Sequence, residues 1–101
     1  MADRDKQRKQ EKLEEEQYRR ALEKTLDTPH GRLVVWRMLE RAGIYRSTFC
    51  GEETHRAAML EGRRCLGLEV LDDVLTYAPQ LYPVMQAEQQ QRDHQREDTD
   101  G

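Results

Sequence analysis

The chain has 101 residues, of which 36% are hydrophobic and 37% are charged, and its formal net charge is −3. This apolar content is low for a globular chain and excludes a large hydrophobic core. No apolar run approaches the length of a membrane-spanning helix, and the charged N-terminus lacks the apolar core of a signal peptide. The composition therefore predicts a small protein that is soluble and intracellular when it is made.

Charge is balanced along most of the chain. Residues 1–27 carry eight basic and eight acidic groups, residues 28–87 carry seven of each, and residues 88–101 carry two basic and five acidic groups. Because no segment is basic, the sequence lacks the electrostatic signature of a nucleic-acid-binding protein. The two cysteines, Cys50 and Cys65, occupy unrelated positions and indicate free thiols in a reducing compartment.

Residues 1–27 are predicted to form a charged helical arm, because they lack Gly and Pro and are rich in helix formers. Tyr18, Leu22 and Leu26 form an apolar stripe at a spacing of four that does not continue to the N-terminus. Either this helix is solvated and frayed at its start, or it docks on a partner through the stripe. The three residues are therefore candidate partner-interface residues.

A helical core domain is predicted over residues 28–88. Its first helix has clear boundaries in the sequence. Thr28 fits an N-cap, Pro29 fits the first turn, and Gly43 stands where a left-handed C-cap is expected. Between these boundaries, apolar residues recur at helical spacing.

A packed loop is expected to lead into a long helix that starts near Glu52 or Thr54 and ends at Tyr77. Apolar residues cover most of its second half, which predicts the central and most buried helix. Pro79 ends this helix and opens a short last one. Residues 89–101 are polar and acidic and are predicted to be disordered. The predicted fold is all-α, with three to four helices, a charged N-terminal arm and a disordered acidic tail.

Small residues on the long helix suggest a seat for another helix. Ala58, Gly62 and Cys65 follow one another at spacings of four and three. Gly62 and Gly67 each cost about 1 kcal/mol relative to Ala inside a helix, a cost that close approach of another backbone explains. The first three residues are thus candidate partner-interface positions. Cys65 itself has apolar neighbours and is expected to be an unreactive core thiol.

The segment FCGEETH places Cys50 five residues before His55 and raises the question of a metal or thiol site. Structural zinc needs four ligands, usually as two closely spaced pairs, but Cys65 and His30 are isolated in the chain. A nucleophilic Cys50 would need a positioned base and an oxyanion site. The segment is more typical of a turn before a helix. We expect no metal, no cofactor and no catalytic residue.

Arg56, Arg63 and Arg64 form the basic cluster of the predicted core. Arg56 lies about two turns from the other two, so the three can share a side of the helix. They are candidates for phosphate contact. The neighbouring Glu61 and the balanced overall charge instead favour salt bridges or docking to an acidic partner.

Three blocks of sequence between residues 28 and 88 carry a specific order of features, namely TPHGRLVVWRMLERAGIYRSTFCG, EGRRCLGLEVLDDV and APQLYPVMQAE. Their characteristic positions are Thr28, Gly31, Trp36, Gly43, Phe49, Gly51, Gly62, Arg63, Gly67, Leu68, Pro79, Tyr82 and Met85. This constellation resembles a family of small proteins of tailed bacteriophages, typified by a Bordetella phage protein from the morphogenesis gene region.

The resemblance implies a structural or accessory component without enzymatic activity. Our leading hypothesis is a helical interaction module that associates with the virion or its assembly. Its partners would be portal, tail or ejected internal proteins, or copies of itself, in the virion or the host cytoplasm. The alternative is a nucleic-acid-associated or regulatory factor that acts through the three arginines. An enzyme or metal protein built on Cys50 and His55 has little support.

Overall fold

The computed structural model describes residues 2–46 and 54–100. They form four α-helices and one 3₁₀ turn, and no strand occurs among them. The helices are α1 (Ala2–Leu26), α2 (Pro29–Ala42), α3 (Thr54–Tyr77) and α4 (Tyr82–Asp100), with the 3₁₀ turn at Pro79–Leu81. The predicted all-α class is confirmed. The expected loop positions Phe49, Cys50, Gly51 and Glu52 lie outside the described residues.

Local chemistry fixes both ends of α2 as the sequence predicts. The Thr28 hydroxyl accepts a hydrogen bond from the Gly31 amide at 3.1 Å and caps the helix N-terminus. Gly43 adopts φ 78°, and its amide donates to the Glu40 carbonyl at 3.0 Å. This left-handed conformation favours glycine because a side chain there would be strained. The chain therefore turns sharply after α2.

Two glycines allow helices to approach closely. A Cβ added at Gly31 would lie 1.7 Å from the Thr25 carbonyl oxygen, so the end of α1 touches the start of α2. A Cβ added at Gly67 would lie 2.5 Å from the Ala42 Cβ, so α3 crosses the end of α2 here. No atom of the described residues lies within 4 Å of a Cβ added at Gly62. Among those residues, the expected close approach is therefore found at Gly67 but not at Gly62.

The core is small and draws on all four helices. Its buried side chains are Leu22, Leu26, Val35, Trp36, Leu39, Val74, Ala78 and Met85. The prediction that α3 is the most buried helix is wrong, because Met59 and Leu66 are 64% and 62% exposed. The molecule measures 65 × 40 × 16 Å, so it is too thin to surround any helix. Consequently α3 buries one side only.

The C-terminal segment is helical in the structure, and the prediction of a disordered acidic tail is wrong. Helix α4 continues to Asp100, and residues 89–100 contain no Gly or Pro to stop it. The Gln89 side chain donates to Asp93 at 2.9 Å, and Arg92 donates back to Gln89 at 2.7 Å. Such side-chain pairs one turn apart stabilise an exposed helix. The division into segments at residues 27 and 88 stays a prediction.

Candidate functional site

A cleft of about 600 Å³ lies between the C-terminal end of α2 and the first half of α3. Six arginines line it, and Glu40 is the single carboxylate among its described lining residues. The arginines are Arg37, Arg41, Arg46, Arg56, Arg63 and Arg96. We call this feature the arginine cleft.

Helix geometry explains how these arginines converge. Arg37 and Arg41 are one turn apart on α2, and Arg56 and Arg63 are two turns apart on α3. The left-handed turn at Gly43 folds the chain back, and the Arg46 amide donates to the Gly43 carbonyl at 3.2 Å. The cleft therefore depends on the turn and on the packing of α3 against α2.

The charge in the arginine cleft is not neutralised by the described part of the chain. Four arginines elsewhere have carboxylate partners; for example, Arg19 pairs with Glu23 at 3.0 Å, and Arg64 pairs with Glu61 at 3.5 Å. None of the six cleft arginines forms an ion pair among the described residues. Like charges gathered without counter-charges raise the local positive potential. The cleft is thus suited to an anionic ligand.

The structure places only two of the three predicted phosphate-contact residues, Arg56, Arg63 and Arg64, in the cleft. Arg56 and Arg63 lie together in the arginine cleft. Arg64 does not line the cleft and is held by its ion pair with Glu61 on α3. Two cleft arginines on α2, Arg37 and Arg41, were not predicted as phosphate-contact residues, although their spacing of four places them on one side of the helix.

The small-residue stripe lies on the outer side of α3. Ala58, Gly62 and Cys65 are all exposed, so they remain candidates for a partner interface. The prediction of a core thiol is wrong, since Cys65 is an exposed free cysteine. It stands nine positions before Val74, which places it half a turn away from that buried residue. Its thiol donates to Glu61 at 3.8 Å.

The predicted interface residues on α1 contact this chain itself. Leu22 and Leu26 are 7% and 0% exposed and belong to the core, which corrects their assignment to a partner surface. The Tyr18 hydroxyl donates to Asp73 on α3 at 2.8 Å. Burial, followed by this hydrogen bond, raises the pKa of Tyr18 to about 12. The second half of α1 is therefore part of the folded unit.

A second pair of contacts holds α1 against the end of α3. The Tyr77 hydroxyl donates to Glu15, and this hydrogen bond raises the pKa of Tyr77. The Tyr18 and Tyr77 rings meet edge to face with centroids 6.4 Å apart. These contacts orient α1 while leaving its N-terminal half in solvent.

Aromatic stacking positions the turn that closes the arginine cleft. The Trp36 and Tyr45 rings stack with centroids 5.3 Å apart, and the Tyr45 and Tyr82 hydroxyls are 3.0 Å apart. Burial, reinforced by this hydrogen bond, raises the pKa of Tyr45. The neighbouring Arg46 is therefore carried on a turn that packs against both α2 and α4.

Exposed apolar side chains lie on the two helices that form most of the arginine cleft. Leu66 lines a small neighbouring cleft with Arg41, Ala42 and Arg63, so α2 and α3 share a border there. Four side chains more than half exposed lie on these two helices, namely Val34 (58%), Met38 (53%), Met59 (64%) and Leu66 (62%). Val34 and Met38 are one turn apart on α2, and Met59 and Leu66 are two turns apart on α3. We call these four residues the apolar face.

The described residues contain no cluster of three or more His, Cys, Asp or Glu side chains that could hold a metal ion. His55 is exposed at the start of α3, while Cys50 lies outside the described residues. Within the described helices, none combines the length and apolar character that crossing a membrane requires.

In the part of the chain that the structure describes, an all-α fold combines a small core with an arginine cleft. The sequence profile of the family described as Bbp19-like phage protein matches residues 18–87. The chain therefore belongs to the Bbp19-like phage protein family. The match begins ten residues before residue 28 and so includes the half of α1 that supplies Leu22 and Leu26 to the core. No curated protein and no solved structure matches the chain.

Proposed function

We propose that this phage protein is a non-enzymatic interaction module that associates with other virion proteins or with copies of itself. Its role is that of a structural or accessory component of the particle, or of a factor in particle assembly. Portal, tail and ejected internal proteins are the candidate partners. The module acts in the virion or in the cytoplasm of the infected host.

One observation carries this proposal. Among the described residues, eleven large hydrophobic side chains are exposed, whereas the core holds eight buried residues. Single exposed apolar residues are ordinary, but groups of them on adjoining helices mark interaction sites. The four residues of the apolar face are more than half exposed and lie on α2 and α3, which share a border at Leu66. A partner that covers this face completes the burial that the small core begins.

The magnitudes indicate how large the partner contact must be. Covering each side chain of the apolar face contributes about 1 kcal/mol, since each is already partly buried. The four contributions together lie at the lower end of the roughly 4–15 kcal/mol that bringing two proteins together costs. The contact must therefore extend beyond this face. Gly62 is one turn from Leu66 and leaves open space above α3, so a partner helix that crosses there would extend the contact.

Light scattering and sedimentation of the purified chain over a range of concentrations test the proposal, first alone and then with candidate virion proteins of the same phage. We expect association, and we expect Met59→Ser/Leu66→Ser to weaken it about tenfold or more. Leu13→Ser is the matched control, because Leu13 is 58% exposed on the solvated half of α1. A chain that stays monomeric and binds none of these proteins would contradict the proposal.

A further inference from the structure

We propose that the arginine cleft binds the sugar-phosphate backbone of nucleic acid. The sequence, read segment by segment, shows no basic region, because acidic residues balance the basic ones along the chain. The fold separates the basic residues from the acidic ones. It gathers six arginines from α2, α3, α4 and the turn after α2 around one cleft with a single carboxylate among the described lining residues. This inference is independent of the proposed association through the apolar face.

The unpaired state of these arginines is the first argument. Four other arginines of this chain form ion pairs with carboxylates, as Arg32 does with Glu88 at 2.8 Å. The six in the cleft have no such partner in the described part of the chain, and their mutual repulsion opposes folding. An anion that enters the cleft removes this repulsion. Guanidinium groups bind phosphate through two parallel hydrogen bonds, which makes phosphate a fitting occupant.

Spacing distinguishes a chain of phosphates from a single one. Arg56 and Arg63 are separated by about 10 Å along α3, and Arg37 and Arg41 by about 6 Å along α2. A chain of phosphates can contact both members of the α3 pair and the α2 pair with each side chain extended. The volume of about 600 Å³ also exceeds what an isolated ion fills. An extended polyanion that runs across the cleft uses the arginines of both helices.

Composition distinguishes nucleic acid from an acidic protein segment. The centres of protein–protein interfaces are poor in charged residues and rich in apolar ones. Protein–nucleic acid interfaces are more polar and far more positively charged. Among the described cleft-lining residues, Leu60 is the only large apolar one, beside six arginines. This composition matches a phosphate-backbone site, and contacts of this kind bind without sequence preference.

Fluorescence anisotropy with labelled oligothymidine and with a labelled mixed-sequence duplex tests the inference on the full-length chain. We expect binding that weakens as salt rises from about 50 to 200 mM, with a log–log slope of about −2 to −4 for the single strand. The variant Arg56→Gln/Arg63→Gln should weaken binding at least tenfold and reduce the slope by about 1.4. Both arginines are exposed, so circular dichroism should show an intact fold.

The matched control is Arg19→Gln/Arg20→Gln, which removes the same charge from ion pairs on α1, away from the cleft. We expect this control to bind nucleic acid like the unmodified chain. Absence of binding at low salt, or equal loss in the control, would overturn the inference. Polyglutamate of equal total charge serves as competitor. If it binds as tightly as the oligonucleotide, the cleft is a site for acidic polypeptide and the inference is wrong.

Discussion

Arg32 and Glu88 lie 56 positions apart in the chain and form a two-point ion pair. Arg32 Nε donates to Glu88 Oε1 at 2.8 Å, and Arg32 Nη2 donates to Oε2 at 2.9 Å. The third bond of this guanidinium runs from Nη1 to the Leu26 carbonyl at 2.9 Å. One side chain at the start of α2 therefore joins the end of α1 to α4.

The first prediction concerns the stability that this ion pair supplies. Arg32→Ala should lower the free energy of unfolding by about 1–3 kcal/mol, because it leaves a partly buried carboxylate and the Leu26 carbonyl without their donor. The side chains of Arg32 and Glu88 are only 11% and 25% exposed, so solvent screens the pair weakly. Urea unfolding followed by the fluorescence of Trp36, the single tryptophan, measures this change.

Arg20→Ala is the control for this measurement. Arg20 and Glu16 form an ion pair with side chains 76% and 48% exposed, and such surface pairs add little stability. If both substitutions change stability equally, the pair between Arg32 and Glu88 does not have the structural role that its geometry indicates.

The second prediction is a pH dependence. The hydrogen bonds from Arg32 lower the pKa of Glu88 below its ordinary value of 4.5. A carboxyl group whose pKa is depressed by folding adds stability above its unfolded pKa, and this stability is lost as pH falls through the folded value. The stability difference between the unmodified chain and Glu88→Gln should therefore be constant near neutral pH and shrink below about pH 4.5. A difference that stays constant into acid would contradict this origin.

The third prediction uses three glycines in helices. Gly62→Ala should stabilise the chain by up to about 1 kcal/mol, because alanine favours helix and the site is open. Gly67→Ala should destabilise it by about 1–3 kcal/mol, since the new methyl group would lie 2.5 Å from the Ala42 Cβ. Gly31→Ala should cost more than Gly67→Ala, because its methyl group meets the Thr25 backbone. Chemical unfolding of the three variants gives the order directly, and a different order would mean that the helices cross elsewhere.

Local signals explain which parts of the fold could be predicted from the sequence. Thr28, Pro29 and Gly43 act on their own backbone, so the ends of α2 can be inferred without knowing the tertiary structure. The same holds for Pro79, at which the 3₁₀ turn begins. The acidic tail was misjudged, because low apolar content argues against burial but does not prevent a helix of glutamines and charged residues.

Tertiary packing decides what the sequence pattern leaves open. Apolar residues surround the second half of α3, so periodicity alone cannot select the side that faces the core. The crossing at Gly67 selects it, and Leu66 is left exposed as a result. The arginine cleft could not be predicted from the sequence pattern, because it too depends on tertiary packing. Arg41 and Arg56 are distant in sequence and line the same cleft because the chain turns at Gly43.

The fourth prediction concerns the outer side of α3. In a Cys50→Ser variant, the exposed Cys65 should react with a maleimide in the folded state nearly as fast as in urea. Association across Ala58, Gly62 and Cys65 should slow this reaction, because a bound partner covers the thiol. A Cys65→Ser variant in the same background controls for labelling elsewhere. Slow labelling of the isolated monomer would contradict the exposed position of Cys65.

The measurement that most directly tests the central claim is the copy number of this chain in purified particles of the phage that encodes it. Quantitative mass spectrometry against the portal and tail proteins supplies that number. We predict a fixed copy number per particle or assembly intermediate, lowered by Met59→Ser/Leu66→Ser and unchanged by Leu13→Ser. Absence of the unmodified chain from particles and from every assembly intermediate would contradict the account.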